Sequence, residues 1–241
     1  MSTRDAWRAL REATQARVGL GRAGDALPTA EVLRLDAVHA PLDVEELTGD
    51  LATATGLDVV TVASAATDRA EYLQRPDLGR RLAEGTELDA GGLGDGKQPD
   101  LAVVVADGLS ALAVRTHAPG LLSALLPRLE GWTFAPVVVA TQARVALGDD
   151  VGSRLGAALV LVLIGERPGM SAPDSLGAYL TWGPRSGRAD SERNCVSNIR
   201  PPHGLTYEQA AEVLAALMTE SRRRGLSGVE LKDTGAALPE G

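Results

Sequence analysis

The segment Gly165-Glu166-Arg167-Pro168-Gly169 sets two opposite charges directly after the apolar run Ala157–Ile164. Two glycines and a proline favour a tight exit from a buried strand. Such an exit holds Glu166 and Arg167 at a sheet edge, either as a surface turn with an ion pair or as ligand contacts. Open α/β sheets bind ligands beyond the carboxyl ends of their strands, which favours the second reading. Asp107, in Asp107-Gly-Leu-Ser110, follows another apolar run and reads equally as a binding residue or a helix cap. Ser110 lacks the second glycine of a nucleophile elbow and reads as a helix N-cap. Cys195, in Arg193-Asn-Cys-Val-Ser-Asn-Ile199, is the sole cysteine. With no evident histidine partner it reads as a small residue touching ligand from a polar, irregular loop rather than as a nucleophile.

Other signatures are weaker. Gly19-Leu-Gly-Arg-Ala-Gly24 matches the dinucleotide fingerprint. That fingerprint needs a strand before it and a helix after it. Here an amphipathic helix precedes it and Asp25-Ala-Leu-Pro28 follows, so a helix C-cap plus turn is expected. His39, His117 and His203 do not cluster, no Cys/His spacing suggests zinc, and all three are expected on the surface or in turns. His117-Ala-Pro-Gly120 has an H-x-x-G look, but Arg115 stands where a cobalt-ligating D-x-H-x-x-G would need aspartate.

The elements that must position these residues follow from periodicity. Residues 1–56 read as a helical N-terminal lobe, with Trp7, Leu10, Thr14 and Val18 on one face and further helices after Thr29 and up to Thr55. From 57 onward short apolar runs alternate with helical stretches: 58–63, 101–106, 136–140 and 157–164 as strands. Helices are expected around Tyr72–Leu82, up to Glu130, near 148–156 and over Thr206–Arg224. A strand at Leu176–Trp182 precedes a loop of about 20 residues, and 90–99 reads as a linker. Short apolar runs between helices are parallel strands buried on both faces. The fold class is therefore α/β: a Rossmann-like, mostly parallel open sheet over 57–241, with right-handed crossovers and a helical N-terminal lobe.

The chain has 241 residues, enough for a core without disulfides or metals. Aromatics are only 3%, so Leu, Val and Ala must fill that core. A formal net charge of −8 disfavours nucleic acid and anionic lipid as partners. The longest apolar run is about nine residues, against roughly 20 for a bilayer span, and the charged N-terminus is no secretory signal. A lone cysteine fits a reducing compartment. A soluble cytoplasmic protein is expected.

Six segments also occur in an order that belongs to a known family. They are Ala16-Arg-Val-Gly-Leu-Gly-Arg-Ala-Gly24, Tyr72-Leu-Gln-Arg-Pro-Asp-Leu-Gly-Arg-Arg81, Ala106-Asp-Gly-Leu-Ser110, Ala143-Arg-Val145, Gly165-Glu-Arg-Pro-Gly169 and Cys195-Val-Ser-Asn-Ile199. Together, over residues 3–233, the chain resembles the small (light) subunit of ethanolamine ammonia-lyase. The resemblance implies an adenosylcobalamin-dependent conversion of ethanolamine to acetaldehyde and ammonia, with the radical chemistry in a barrel of a separate large subunit. It implies that the small subunit closes over the cobalamin at the interface, in a hetero-oligomer of large–small pairs. It also implies contacts to the cofactor from Val145, Glu166 and Cys195. Val145 would offer apolar surface or backbone groups to the corrin. Glu166 would accept hydrogen bonds from amide side arms or a ribose hydroxyl. Cys195 would be small enough to let the backbone approach. Location within a bacterial microcompartment is a further expectation from the family, in which an extra N-terminal tail serves packaging. The competing expectations are a stand-alone NAD(P)-type oxidoreductase, from Gly19–Gly24, and a partner subunit with a purely structural role.

Overall fold

A computed structural model describes residues 41–90, 98–168 and 174–231. Most of the expected N-terminal lobe, the Gly19–Gly24 segment, His39 and Gly169 lie outside the described residues.

Four apolar runs become strands β1 (Val59–Ala63), β2 (Leu101–Ala106), β3 (Val137–Thr141) and β4 (Leu159–Gly165). Every residue of β2 and β4 is buried. A strand covered on both faces has no solvent side to make polar, so the run is apolar throughout. Two further strands follow, β5 (Leu176–Trp182) and β6 (Asn194–Ile199). The sheet order is β1-β3-β2-β4-β5-β6. The first four strands are parallel, and β5 and β6 add on antiparallel. The architecture is α/β with a mixed, mostly parallel six-stranded sheet.

The described residues form five α-helices: α1 (Val44–Thr55), α2 (Arg69–Gln74), α3 (Ala111–Leu125), α4 (Leu147–Arg154) and α5 (Tyr207–Arg224). One sheet face, carrying Val103, Val105, Val139, Leu161, Leu163 and Leu180, is packed by α1, α3 and α5. The other, carrying Val104, Val138, Val160, Val162 and Ile164, meets α4 through Leu147 and Val151, and its C-cap Leu155. The chain goes from β2 to β3 on one side and from β3 past β2 to β4 on the other. Crossovers of one hand therefore put α3 and α4 on opposite faces.

Three expectations are corrected. The helical stretch through Tyr72–Leu82 is only α2 plus a 3-10 turn at Leu78–Arg80, because Pro76 cannot continue a helix. The loop expected after Trp182 contains β6, so Cys195 sits on a strand paired with Tyr179. His117 is not at the surface: it is 3% exposed, inside α3, which runs through Pro119. That proline removes the bond to the carbonyl of Arg115, whose residue is exposed. Ser110 does cap α3, its hydroxyl accepting from the Ala113 N–H at 3.3 Å.

Candidate functional site

Gly165 ends β4 against the start of α3. A Cβ there would stand 2.0 Å from the Ser110 carbonyl oxygen, so only glycine permits this exit. The chain then turns Glu166 toward β5 and β6. The Glu166 N–H donates to the Ser175 carbonyl at 3.0 Å. Its carboxylate accepts from the Ser175 hydroxyl and, at 3.4 Å, from the Asn198 N–H. These groups, rather than Arg167, hold the carboxylate, and Arg167 is exposed.

The Asn198 N–H is aimed by an irregularity in pairing. The β5–β6 register slips between Leu176 and Ala178, and Asn198 takes a positive φ of 60°, which asparagine tolerates better than most residues. Opposite lies Gly177. A Cβ on it would stand 3.0 Å from Glu166 Oε1 and 3.1 Å from the Tyr179 ring. Glycine here lets the carboxylate and the ring share one patch of sheet.

Tyr179 is the register partner of Cys195, which sets phenol and thiol on the same side of neighbouring strands. Desolvation pushes the Tyr179 phenol well up, and Cys195 and Glu166 push the same way. Desolvation also raises the Cys195 thiol, with Glu166 adding to the rise and Tyr179 opposing it. Both groups are neutral at physiological pH, so the strip offers one carboxylate beside two neutral polar side chains. A thiol held in this form is a contact and a poor nucleophile.

Val145 reaches the same side of the sheet by another route. The Arg144 N–H donates to the Gly79 carbonyl at 2.8 Å. The Arg144 guanidinium lies 4.2 Å from the centre of the Tyr72 ring, with Arg69 at 4.8 Å. The Tyr72 hydroxyl donates to the Ala143 carbonyl at 3.3 Å, and burial pushes its pKa to about 12. Asp107 Oδ1 accepts from the Ala143 N–H at 3.1 Å. Asp107 is thus a buried acceptor that orders the turn after β3, not a helix cap. Three of the sequence segments, around Tyr72, Asp107 and Ala143, converge to place Val145 just before α4. Gly148 presses on Val162, the register partner of Tyr179. Val145 lies about one turn earlier, toward the carboxyl end of β4, half-buried against the same apolar layer as Tyr179.

A buried ion pair ties these parts together. Arg193, just before β6, donates to both carboxylate oxygens of Asp149 on α4, at 2.6 and 2.7 Å, and to Thr181 Oγ1 at 2.9 Å. Both charged side chains are 2% exposed. The sequence reading missed this pair. Its members are 44 residues apart, and nothing in spacing announces them.

The structure therefore sets Val145, Glu166 and Cys195 on one side of the sheet, toward its β4–β6 half. Glu166 and Cys195 share the patch around Tyr179, and Val145 stands at its α4 border. No helix among the described residues is long and apolar enough to cross a membrane, and no group of three or more His, Cys, Asp or Glu there could hold a metal ion.

A family model of the ethanolamine ammonia-lyase light chain matches residues 4–232. This chain belongs to the ethanolamine ammonia-lyase light-chain family. Relatives described as ethanolamine ammonia-lyase small subunits are similar along nearly their whole length. One from Azotobacter vinelandii is 52% identical, over 96% of this chain and 90% of its own. One from Rhodococcus erythropolis is 49% identical, over 97% and 92%. One from Xanthomonas campestris pv. campestris is 52% identical, over 95% and 88%. The light-chain match spans all three candidate segments. Membership does not favour the NAD(P)-type oxidoreductase reading, whose only motif, Gly19–Gly24, lies outside the described residues.

Proposed function

We propose that this chain is the small subunit of an adenosylcobalamin-dependent ethanolamine ammonia-lyase, completing the cofactor site at the interface with a large catalytic subunit. The carrying observation is the light-chain match over residues 4–232. Adenosylcobalamin, when bound, supplies radical hydrogen abstraction for conversion of ethanolamine to acetaldehyde and ammonia. The residues present fit such a group. Gly177 lets the Glu166 carboxylate lie against the sheet beside the Tyr179 ring, and a corrin bears amide side arms that a carboxylate can accept from.

In this reading Glu166 orients the cofactor through those donors, held in place by Ser175 and Asn198. Val145 gives apolar contact at the α4 border. Cys195 and Tyr179 stay neutral and let the edge of β5 and β6 approach closely. None of them moves a proton in the reaction. Their work is to bind, orient and exclude water from a radical site. The scaffold is Rossmann-like in this reading, with ligand beyond the carboxyl ends of β3 and β4. The assembly is a hetero-oligomer of large–small pairs, in the bacterial cytoplasm or a microcompartment within it.

Reconstitution tests this. Ethanolamine deamination with adenosylcobalamin should require both chains, and full activity of the large subunit alone would refute the proposal.

A further inference from the structure

Behind Glu166 lies a second polar cluster that the cofactor reading does not use. His117 on α3 is 3% exposed. Its Nδ1 is 3.0 Å from the hydroxyl of Tyr207 on α5. Its Nε2 is buried and faces Asp174 Oδ2 at 3.7 Å. Asp174 also meets Arg200 Nη1 at 3.5 Å, and Arg200 Nε donates to Asn198 Oδ1 at 2.9 Å. Desolvation lowers the His117 pKa against the pull of Asp174, and Arg200 lowers it further, so the ring is neutral at physiological pH. A carboxylate can only accept, so the single ring proton sits on Nε2. Nδ1 then accepts from the Tyr207 hydroxyl, which has the Thr116 carbonyl at 3.4 Å as a second acceptor.

The cluster has a direction. Asp174 is followed by Ser175, which holds Glu166 twice, by its carbonyl and by its hydroxyl. Asn198, the second residue that holds Glu166, is held by Arg200. Both arms that grip the Glu166 carboxylate therefore run back to Asp174. Asp174 in turn faces the buried Nε2 of His117, 3.7 Å away and beyond hydrogen-bond length, on a helix packed against the core.

We infer that His117 is a positioning residue for the cofactor contact of Glu166: through Asp174 it sets the Ser175 and Asn198 arms that aim the carboxylate. This rests on the proposal that Glu166 touches cobalamin. His117 itself touches no cofactor.

The test is a double-mutant cycle on the assembled large–small complex, reading adenosylcobalamin Kd, with complex assembly and melting temperature as controls. Loss of an aimed, charge-assisted hydrogen bond weakens binding by about tenfold. His117→Phe keeps the ring volume and removes the donor. It should weaken binding by about that factor, and His117→Gln, which restores an N–H near Nε2, should recover most of it. In a Glu166→Ala background, His117→Phe should add no further loss. Asp174→Asn, at a partly exposed position, should behave like His117→Phe and serves if the latter does not fold. Two results would overturn the inference alone: Glu166→Ala weakens binding while Asp174→Asn and His117→Phe do not, or the losses multiply. A silent Glu166→Ala would remove the reading of Glu166 as a cofactor contact, and this inference with it.

Discussion

The two faces of the sheet are built from the same strands and put to different uses. On one, α1, α3 and α5 cover the strands, and Leu47, Leu122, Leu214 and Met218 are fully buried there. On the other, the eight-residue α4 covers only the centre. Past α4, toward β5 and β6, Tyr179 is half-buried and Cys195 and Ser197 are exposed. The polar residues of that second face are held by hydrogen bonds rather than packing: Glu166 by Ser175 and Asn198, and Arg193 by Asp149. One face supplies rigidity and the other presents groups that a partner can use. That division separates changes that cost stability from changes that cost binding.

The largest expected effect lies beneath the open face. Arg193→Ala leaves the Asp149 carboxylate buried without its partner and should destabilise the chain by about 3–5 kcal/mol, read as a shift in denaturant midpoint. A loss below about 1 kcal/mol would mean that α4 and β6 are held together in some other way. On the covered face, Leu122→Ala should cost about 2–5 kcal/mol through the cavity it leaves. In complexes that still assemble, its adenosylcobalamin Kd should be unchanged, and a change in Kd would blur the contrast between the faces. Ser110→Ala, which removes the cap of α3, should cost about 1 kcal/mol.

The smallest stability effect sharpens the contrast most. Cys195→Ser, at an exposed strand position, should change stability by less than about 0.5 kcal/mol. In the unsubstituted complex Cys195 is a built-in reporter. Its raised pKa leaves less thiolate at a given pH, so iodoacetamide should label it more slowly in the folded chain than in the unfolded one. Bound adenosylcobalamin should slow labelling further, and equal rates with and without it would place the thiol away from the cofactor.

What was legible in the sequence follows the same division. β2, β3 and β4 could be read because burial on both faces demands contiguous apolar residues. The extent of α5 could be read as well, and the structure adds its cap: Thr206 accepts from the Gln209 N–H while the Gln209 side chain returns to Thr206. β6 could not be read. On this edge strand only Val196 and Ile199 face the core, and the slipped register breaks their alternation. His117 was hidden in an Ala-Pro-Gly setting that looks like a turn but stays helical. Its partner Tyr207 is 90 residues away, a distance over which spacing carries no signal. The Glu166 turn stood out for a simple reason: charge directly after a buried strand must be held by something. Its holders, Ser175 and Asn198, became visible only through tertiary contacts.

The most direct test of the open face as a cofactor surface is the adenosylcobalamin Kd of the assembled large–small complex carrying Glu166→Ala. Loss of a hydrogen bond to a charged group predicts about tenfold weaker binding, with assembly and melting temperature unchanged. An unchanged Kd in a fully assembled complex would contradict the account and leave this chain as a structural partner only.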